Sequence, residues 1–150
     1  MADLTKTEDF EIVLEFAFGF ADRGVPLSLV LIEPTDVPAR PPALLEQLQQ
    51  DILRRTRRSD RVTRLTDRRF AALLVDCNRQ GAVVFADRVQ QAVTDFVKAS
   101  GCPVNCGVAT FHREMRSSSD FLSAAANALA RAHKAGGGTI ELHGVESPEP

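Results

Sequence analysis

The stretch RRSDRVTRLTDRRFAALLVD, Arg57 to Asp76, decides the fold. Within it, DRVTRLT and RFAALLVD read as two strands with almost nothing between them, so the chain must reverse near Asp67 and Arg68, which makes a hairpin. Upstream, ALLEQLQQDILRRTRR is an amphipathic helix with Leu44, Leu45, Leu48, Ile52 and Leu53 on one side and arginines at its C-terminal end, where the helix dipole favours cations. Before that lies TDVPARPPA, a loop by its three prolines, and PLSLVLIE, a branched apolar run too short for a core helix and suited to a central buried strand. The first element, EDFEIVLEFAFGFADRG, repeats Phe10, Val13, Leu14, Ala17 and Ala21 at helical spacing and stops at Gly24. Ile12, Phe16, Phe18 and Phe20 widen its apolar arc beyond what one core contact needs, so part of it is expected to meet a partner or a second copy.

Downstream of the hairpin, GAVVFADRVQQAVTDFVKA is helical and VNCGVATF is a strand. SSDFLSAAANALARAHKAG is a helix opened by serine caps and closed by glycines, and TIELH is a last short strand. The order α-β-α-β-β-α-β-α-β predicts an α/β sandwich: a central mixed sheet flanked by helices, ferredoxin-like in its βαββαβ core. A chain of 150 residues suits one domain, with a core over about 9–142 and a disordered tail at 145–150 ending ESPEP.

Composition narrows the function. With 44% hydrophobic and 25% charged residues the sequence is that of an ordinary globular protein, and no apolar run nears the roughly 20 residues of a membrane span. The N-terminus lacks a basic-then-apolar leader, so a cytoplasmic location is expected, with no membrane partner. Cys77, Cys102 and Cys106 match neither zinc nor CxxC redox spacing and read as core or strand cysteines. His112, His133 and His143 fall in different elements without ligand spacing, so no metal or catalytic role is assigned to them. Arg54 to Arg69 carries eight arginines against Asp60 and Asp67, locally +6 in a chain of net charge -2. Such a patch suits phosphate, a guanine edge or an acidic protein surface better than lysines would, because guanidinium offers a planar fork.

The hairpin resembles that of GGDEF domains, the fold of bacterial diguanylate cyclases, whose signature runs RxxD, five residues, GGDEF and an apolar strand. Arg57 and Asp60 fall on RxxD, and Thr66, Asp67, Arg68, Arg69 and Phe70 fall on the five signature positions. CGVATF is similar to the family's SIGVA strand, and FLSAAANALARAHKAGGGTIEL to its LLxxADxALYxAKxxGRN helix and strand, so the likeness spans Asp9 to Leu142.

The resemblance implies a palm-like fold in which carboxylates on adjacent strands hold two divalent cations for nucleotidyl transfer. Here the signature is degenerate. Arg68 and Arg69 stand where the family has acids, Glu33 replaces the metal aspartate of the first strand, and TDVPARPPA replaces the FKxxND guanine loop. Ala126 and His133 replace the AD aspartate and AK lysine, Gly137 replaces a basic residue, and Thr66 and Asp67 replace the signature glycines. The expectation is an inactive domain with no catalytic residue, no metal and no cofactor. One family site survives in the pattern: RxxD binds the product, cyclic di-GMP, so Arg57 and Asp60, joined by Arg88 in ADRVQQ, are the candidate ligand residues of a cyclic di-GMP receptor or signalling module. The alternative is a nucleotide-independent interaction or oligomerisation module built on the same fold, with a protein partner or a second copy. No nucleic acid polymer is implied.

Overall fold

The computed structural model describes residues 3–35, 42–66 and 68–144. Most of the proline-rich loop, Asp67 and the tail from 145 onward lie outside the described residues. Ten elements follow in order: α1 (Thr7–Ala21), β1 (Leu27–Pro34), α2 (Pro42–Leu53), β2 (Arg61–Arg64), β3 (Phe70–Val75), α3 (Arg79–Ala92), α4 (Thr94–Ser100), β4 (Val104–Thr110), α5 (Ser118–Lys134) and β5 (Ile140–Leu142).

The strands form one sheet in the order β2-β3-β1-β4-β5. β1 runs antiparallel to both β3 and β4, β2 is antiparallel to β3, and β5 alone lies parallel to its neighbour β4. The first four strands thus have the ferredoxin-like arrangement, with β3 inserted between β1 and β2, and β5 makes the sheet mixed.

Strand periodicity divides the core in two. Val30, Ile32, Phe70, Ala72, Leu74, Val104, Cys106 and Val108 face α2, α3 and α4, against Leu48, Ile52, Phe85, Val89 and Phe96. Leu27, Leu29, Leu31, Ala71, Leu73 and Ala109 face α1 and α5, against Phe10, Leu14, Phe121, Ala125 and Leu129. Every residue of β1 is buried, as its continuous apolar run predicts for a strand covered on both faces. The chain start protects the exposed side of β2: Leu4 bridges Val62, and Thr5 N–H donates to the Val62 carbonyl at 2.7 Å.

Two helices end earlier than their periodicity suggests. α2 stops at Leu53, not at the arginines that follow, because Arg55 and Thr56 make i→i+3 bonds and the Thr56 hydroxyl donates to the Leu53 carbonyl at 2.7 Å. The helix expected over 81–99 breaks into α3 and α4 at Val93, whose ψ of 11° leaves the helical region. There the Thr94 hydroxyl donates to the Gln91 carbonyl at 2.9 Å, a local bond that competes with the helical ladder.

α5 is opened by the Ser117 hydroxyl, which accepts from Asp120 N–H. It ends in three glycines with φ of 106°, 92° and 73°, the turn that the sequence implies. α5 lies directly on β4, and a methyl group at Gly107 would collide with Leu129 N and the Ala125 carbonyl.

Candidate functional site

The hairpin presents two clusters, one at each end of β3. At the turn, Leu65 N–H donates to the Arg69 carbonyl, and Thr66 Oγ1 accepts from the Arg68 and Arg69 amides at 3.4 and 3.1 Å. Register does the rest. Ile32 pairs with Phe70 across β1 and β3, so Arg69, one residue earlier on β3, falls beside Glu33, one residue later on β1. Arg69 Nε donates to Glu33 Oε2 at 3.0 Å and Nη2 to Oε1 at 3.4 Å, a two-pronged contact with a carboxylate that is only 6% exposed.

A third side chain completes this cluster. His133, in the last turn of α5, approaches Glu33 Oε1 through Nε2 at 2.7 Å, while Asn105 Nδ2 donates to its Nδ1 at 3.1 Å. Burial alone would raise the Glu33 pKa, but the hydrogen bonds and charges of Arg69 and His133 outweigh it and hold the carboxyl below its ordinary value. The sequence put His133 at the family's AK lysine position and gave it no metal or catalytic role; 100 residues of chain separate it from Glu33, and only the sheet topology brings them together.

The donor set at this end does not fit the divalent cations that the family resemblance implies. Its carboxylate is already matched by a guanidinium, and among the described residues no group of three or more His, Cys, Asp or Glu side chains is placed to hold a metal ion.

At the other end of β3, Arg57 and Asp60 form a tight turn before β2. Arg57 therefore sits beyond the end of α2 and not on it, contrary to the helix boundary expected from periodicity. Asp60 is 2% exposed and fully employed. Its Oδ2 accepts from Arg57 N–H at 2.8 Å and Nε at 3.5 Å, and its Oδ1 accepts from Arg57 Nη2 at 3.3 Å and Val75 N–H at 3.4 Å. Arg57 Nη2 also donates to the Val75 carbonyl at 2.6 Å.

The turn, the end of β3 and the face of α3 enclose a cavity of about 350 Å³ lined by Arg55, Arg57, Asp60, Asp76, Phe85 and Arg88, among others. The three predicted ligand residues are thus brought to one place, and Arg55, which sequence reasoning did not single out, joins them. Asp76 has φ of 53°, a left-handed conformation that aspartate tolerates better than most residues. Asn78 Oδ1 accepts from Gly81 N–H at 2.9 Å and caps α3, whose N-terminus opens on the same cavity. Arg64, the other arginine three residues before an aspartate, points elsewhere: it pairs with Glu46 at 3.3 Å and lies over the Phe70 ring.

The cysteines are free thiols. Cys102 and Cys106 are buried, with Cys106 pushed up to about 12 by that burial, and Cys77 is half-buried at the cavity wall.

A five-stranded mixed sheet with a ferredoxin-like core and a hairpin between β2 and β3 makes a palm-like α/β fold. The profile described as diguanylate cyclase, GGDEF domain, matches residues 42–139, and the chain belongs to the GGDEF family. Among solved structures, it is similar to the active GGEEF domain of a diguanylate cyclase from Vibrio cholerae, with TM-score 0.85 and 17% identity over 96% of this chain and 100% of that one. The GGDEF domain of DgcB from Caulobacter crescentus, in complex with c-di-GMP, matches with TM-score 0.75 and 16% identity over 94% and 92% of the two chains. Diguanylate cyclase SiaD from Pseudomonas aeruginosa, in complex with its activator SiaC, matches with TM-score 0.79 and 18% identity over 93% of this chain and 58% of that one. No curated protein sequence matches the chain.

Proposed function

We propose that this chain is a GGDEF domain without cyclase activity that acts as a cyclic di-GMP receptor. The observation that carries the reading is the convergence of Arg55, Arg57 and Arg88 on one cavity beside Asp60, at the end of β3 away from the Glu33 cluster. Cyclic di-GMP offers two phosphates and two guanine edges, and an arginine fork matches either the O6 and N7 pair of guanine or a phosphate. The domain of DgcB, similar in fold, is seen with this ligand.

The geometry sharpens the roles. Asp60 already accepts four hydrogen bonds, so its first task is to hold Arg57 in place, and a guanine N–H must displace the Arg57 side chain to reach it. Arg88 and Arg55, both exposed, are the residues that meet the ligand without such a trade.

Catalytic silence is the other half of the proposal. Arg69 occupies the carboxylate that a metal would need, and His133 takes its second oxygen. Isothermal titration with cyclic di-GMP and, separately, with GTP tests both halves: heat is expected for cyclic di-GMP and none for GTP. Absence of heat and of a melting-temperature shift at high micromolar cyclic di-GMP would contradict the receptor reading. One observation favours a second reading, an interaction module: α1 carries an exposed apolar row, and SiaD, similar in fold, is seen with a protein activator.

A further inference from the structure

α1 buries Phe10, Leu14 and Ala21 against the sheet and turns Phe18 inward onto Phe111, with ring centroids 5.2 Å apart. Its outer face is not polar. Ile12 is 68% exposed, Phe16 70% and Phe20 44%, and the Phe16 and Phe20 rings meet edge to face at 5.0 Å. These residues are spaced by four and form one straight ridge, with Glu8 a turn before Ile12 and Arg23 following Phe20. Shallow concavities flank the ridge: one lined by Glu8, Glu11, Ile12, Glu15 and Phe16, the other by Glu15, Phe16, Gly19, Phe20 and Arg23.

Gly19 is the second observation. It lies inside the helix, where glycine is the poorest residue after proline, and it has no positive φ that would call for it. A Cβ built there meets nothing within 4 Å, so no contact within this chain asks for a bare backbone. A second helix packing across the ridge would: glycine beside two phenylalanines makes a hole into which an aromatic side chain fits.

Charge along the ridge selects the occupant. The acids Glu8, Glu11 and Glu15 lie on the N-terminal two thirds and Arg23 at the C-terminal end. We infer that α1 pairs with α1 of a second copy of this chain, antiparallel about a two-fold axis at Phe16. That symmetry sets Ile12 against Phe20, brings the two Phe16 rings together at the axis with the Gly19 hole of each copy beside them to receive them, and places each Arg23 within a residue of the Glu8 of the other copy. Ridges spaced by four interdigitate at a crossing angle of roughly -50°. A parallel pair would instead stack three glutamates on their own counterparts. The inference is independent of nucleotide binding, since the ridge lies on the face of the sheet opposite α3.

Sedimentation of the full chain, without nucleotide, over low to high micromolar concentration tests it. A monomer–dimer equilibrium is expected, and Phe16→Glu should raise its dissociation constant at least about tenfold while leaving circular dichroism and the melting transition of the monomer intact. Gly19→Ala should raise the monomer's melting temperature yet weaken the dimer, a pair of effects with opposite signs. Arg23→Glu should weaken the dimer, and combining it with Glu8→Arg should restore the dissociation constant to within about threefold of the parent value. A monomer at every concentration, a dimer indifferent to Phe16→Glu, or an Arg23→Glu defect that Glu8→Arg deepens would overturn the inference.

Discussion

Arg69 and Asp60 show how one residue can be assigned by its partners. Arg69 is a cation placed by strand register against a buried carboxylate, and the pair carries a pH dependence with a definite sign. Because the folded chain lowers the Glu33 pKa, the ionised form contributes stability that is fully present above the unfolded value of about 4.5 and is lost as pH falls through the lower folded value. Urea unfolding at a series of pH values should therefore show Glu33→Gln less stable than the parent at neutral pH, with the gap narrowing under acid. A gap that widened on acidification would contradict the assignment. Asp60→Ala should strip the Arg57 and Val75 amides of their acceptor and cost about 2 to 4 kcal/mol, whereas Arg88→Ala, on an exposed face, should change stability by less than about 0.5 kcal/mol. Loss of cyclic di-GMP affinity on Asp60→Ala would consequently report folding as well as binding, and Arg88→Ala is the cleaner probe. Arg64→Ala, whose partners are Glu46 and Phe70, should leave cyclic di-GMP affinity within about twofold, as expected for a residue outside the cavity.

At the scale of elements, what the sequence discloses depends on how local the determining forces are. β1 and β3 are legible because short, largely apolar stretches bounded by prolines and charges leave no other placement. The hairpin is legible for the same reason. Where α2 ends, and where α3 gives way to α4, depends on single hydroxyls at Thr56 and Thr94 that bond to a carbonyl three residues back, and hydrophobic periodicity is blind to those. The excess apolar arc of α1 is visible in the sequence, but periodicity did not say that Phe18 turns inward while Phe16 and Phe20 stay out; the packing of Phe111 and Phe121 decides that. The closeness of α5 to β4 is equally hidden until the helix is seen lying over Gly107. Gly107→Ala should push two backbones apart and cost at least about 2 kcal/mol, read as a fall in the denaturation midpoint. An unchanged midpoint would mean that the two elements can separate freely.

Over the whole molecule, β3 links two sites of opposite character. Its N-terminal end carries Arg69 against Glu33 and His133, and its C-terminal end leads into a cavity edged by arginines. The pairing of Arg57 with Asp60 was legible from four residues. The engagement of His133 was not, since no local pattern ties residue 133 to residue 33. The proposed silence rests on two separate features, the arginines at the turn and the proline-rich segment before α2, and the latter lies largely outside the described residues. Accordingly Arg68→Asp combined with Arg69→Glu, incubated with GTP and Mg²⁺ or Mn²⁺, should still form no cyclic di-GMP, as should the parent chain. Appearance of product from the double variant would show that the turn alone silences the domain. The most direct test of the whole account is amide chemical-shift mapping of the ¹⁵N-labelled chain during titration with cyclic di-GMP. Progressive shifts are predicted at Arg55, Arg57, Asp60, the 75–81 segment and Arg88, with Glu33, Arg69 and His133 unmoved; shifts centred on Glu33 and Arg69, or no shifts at saturating ligand, would contradict it.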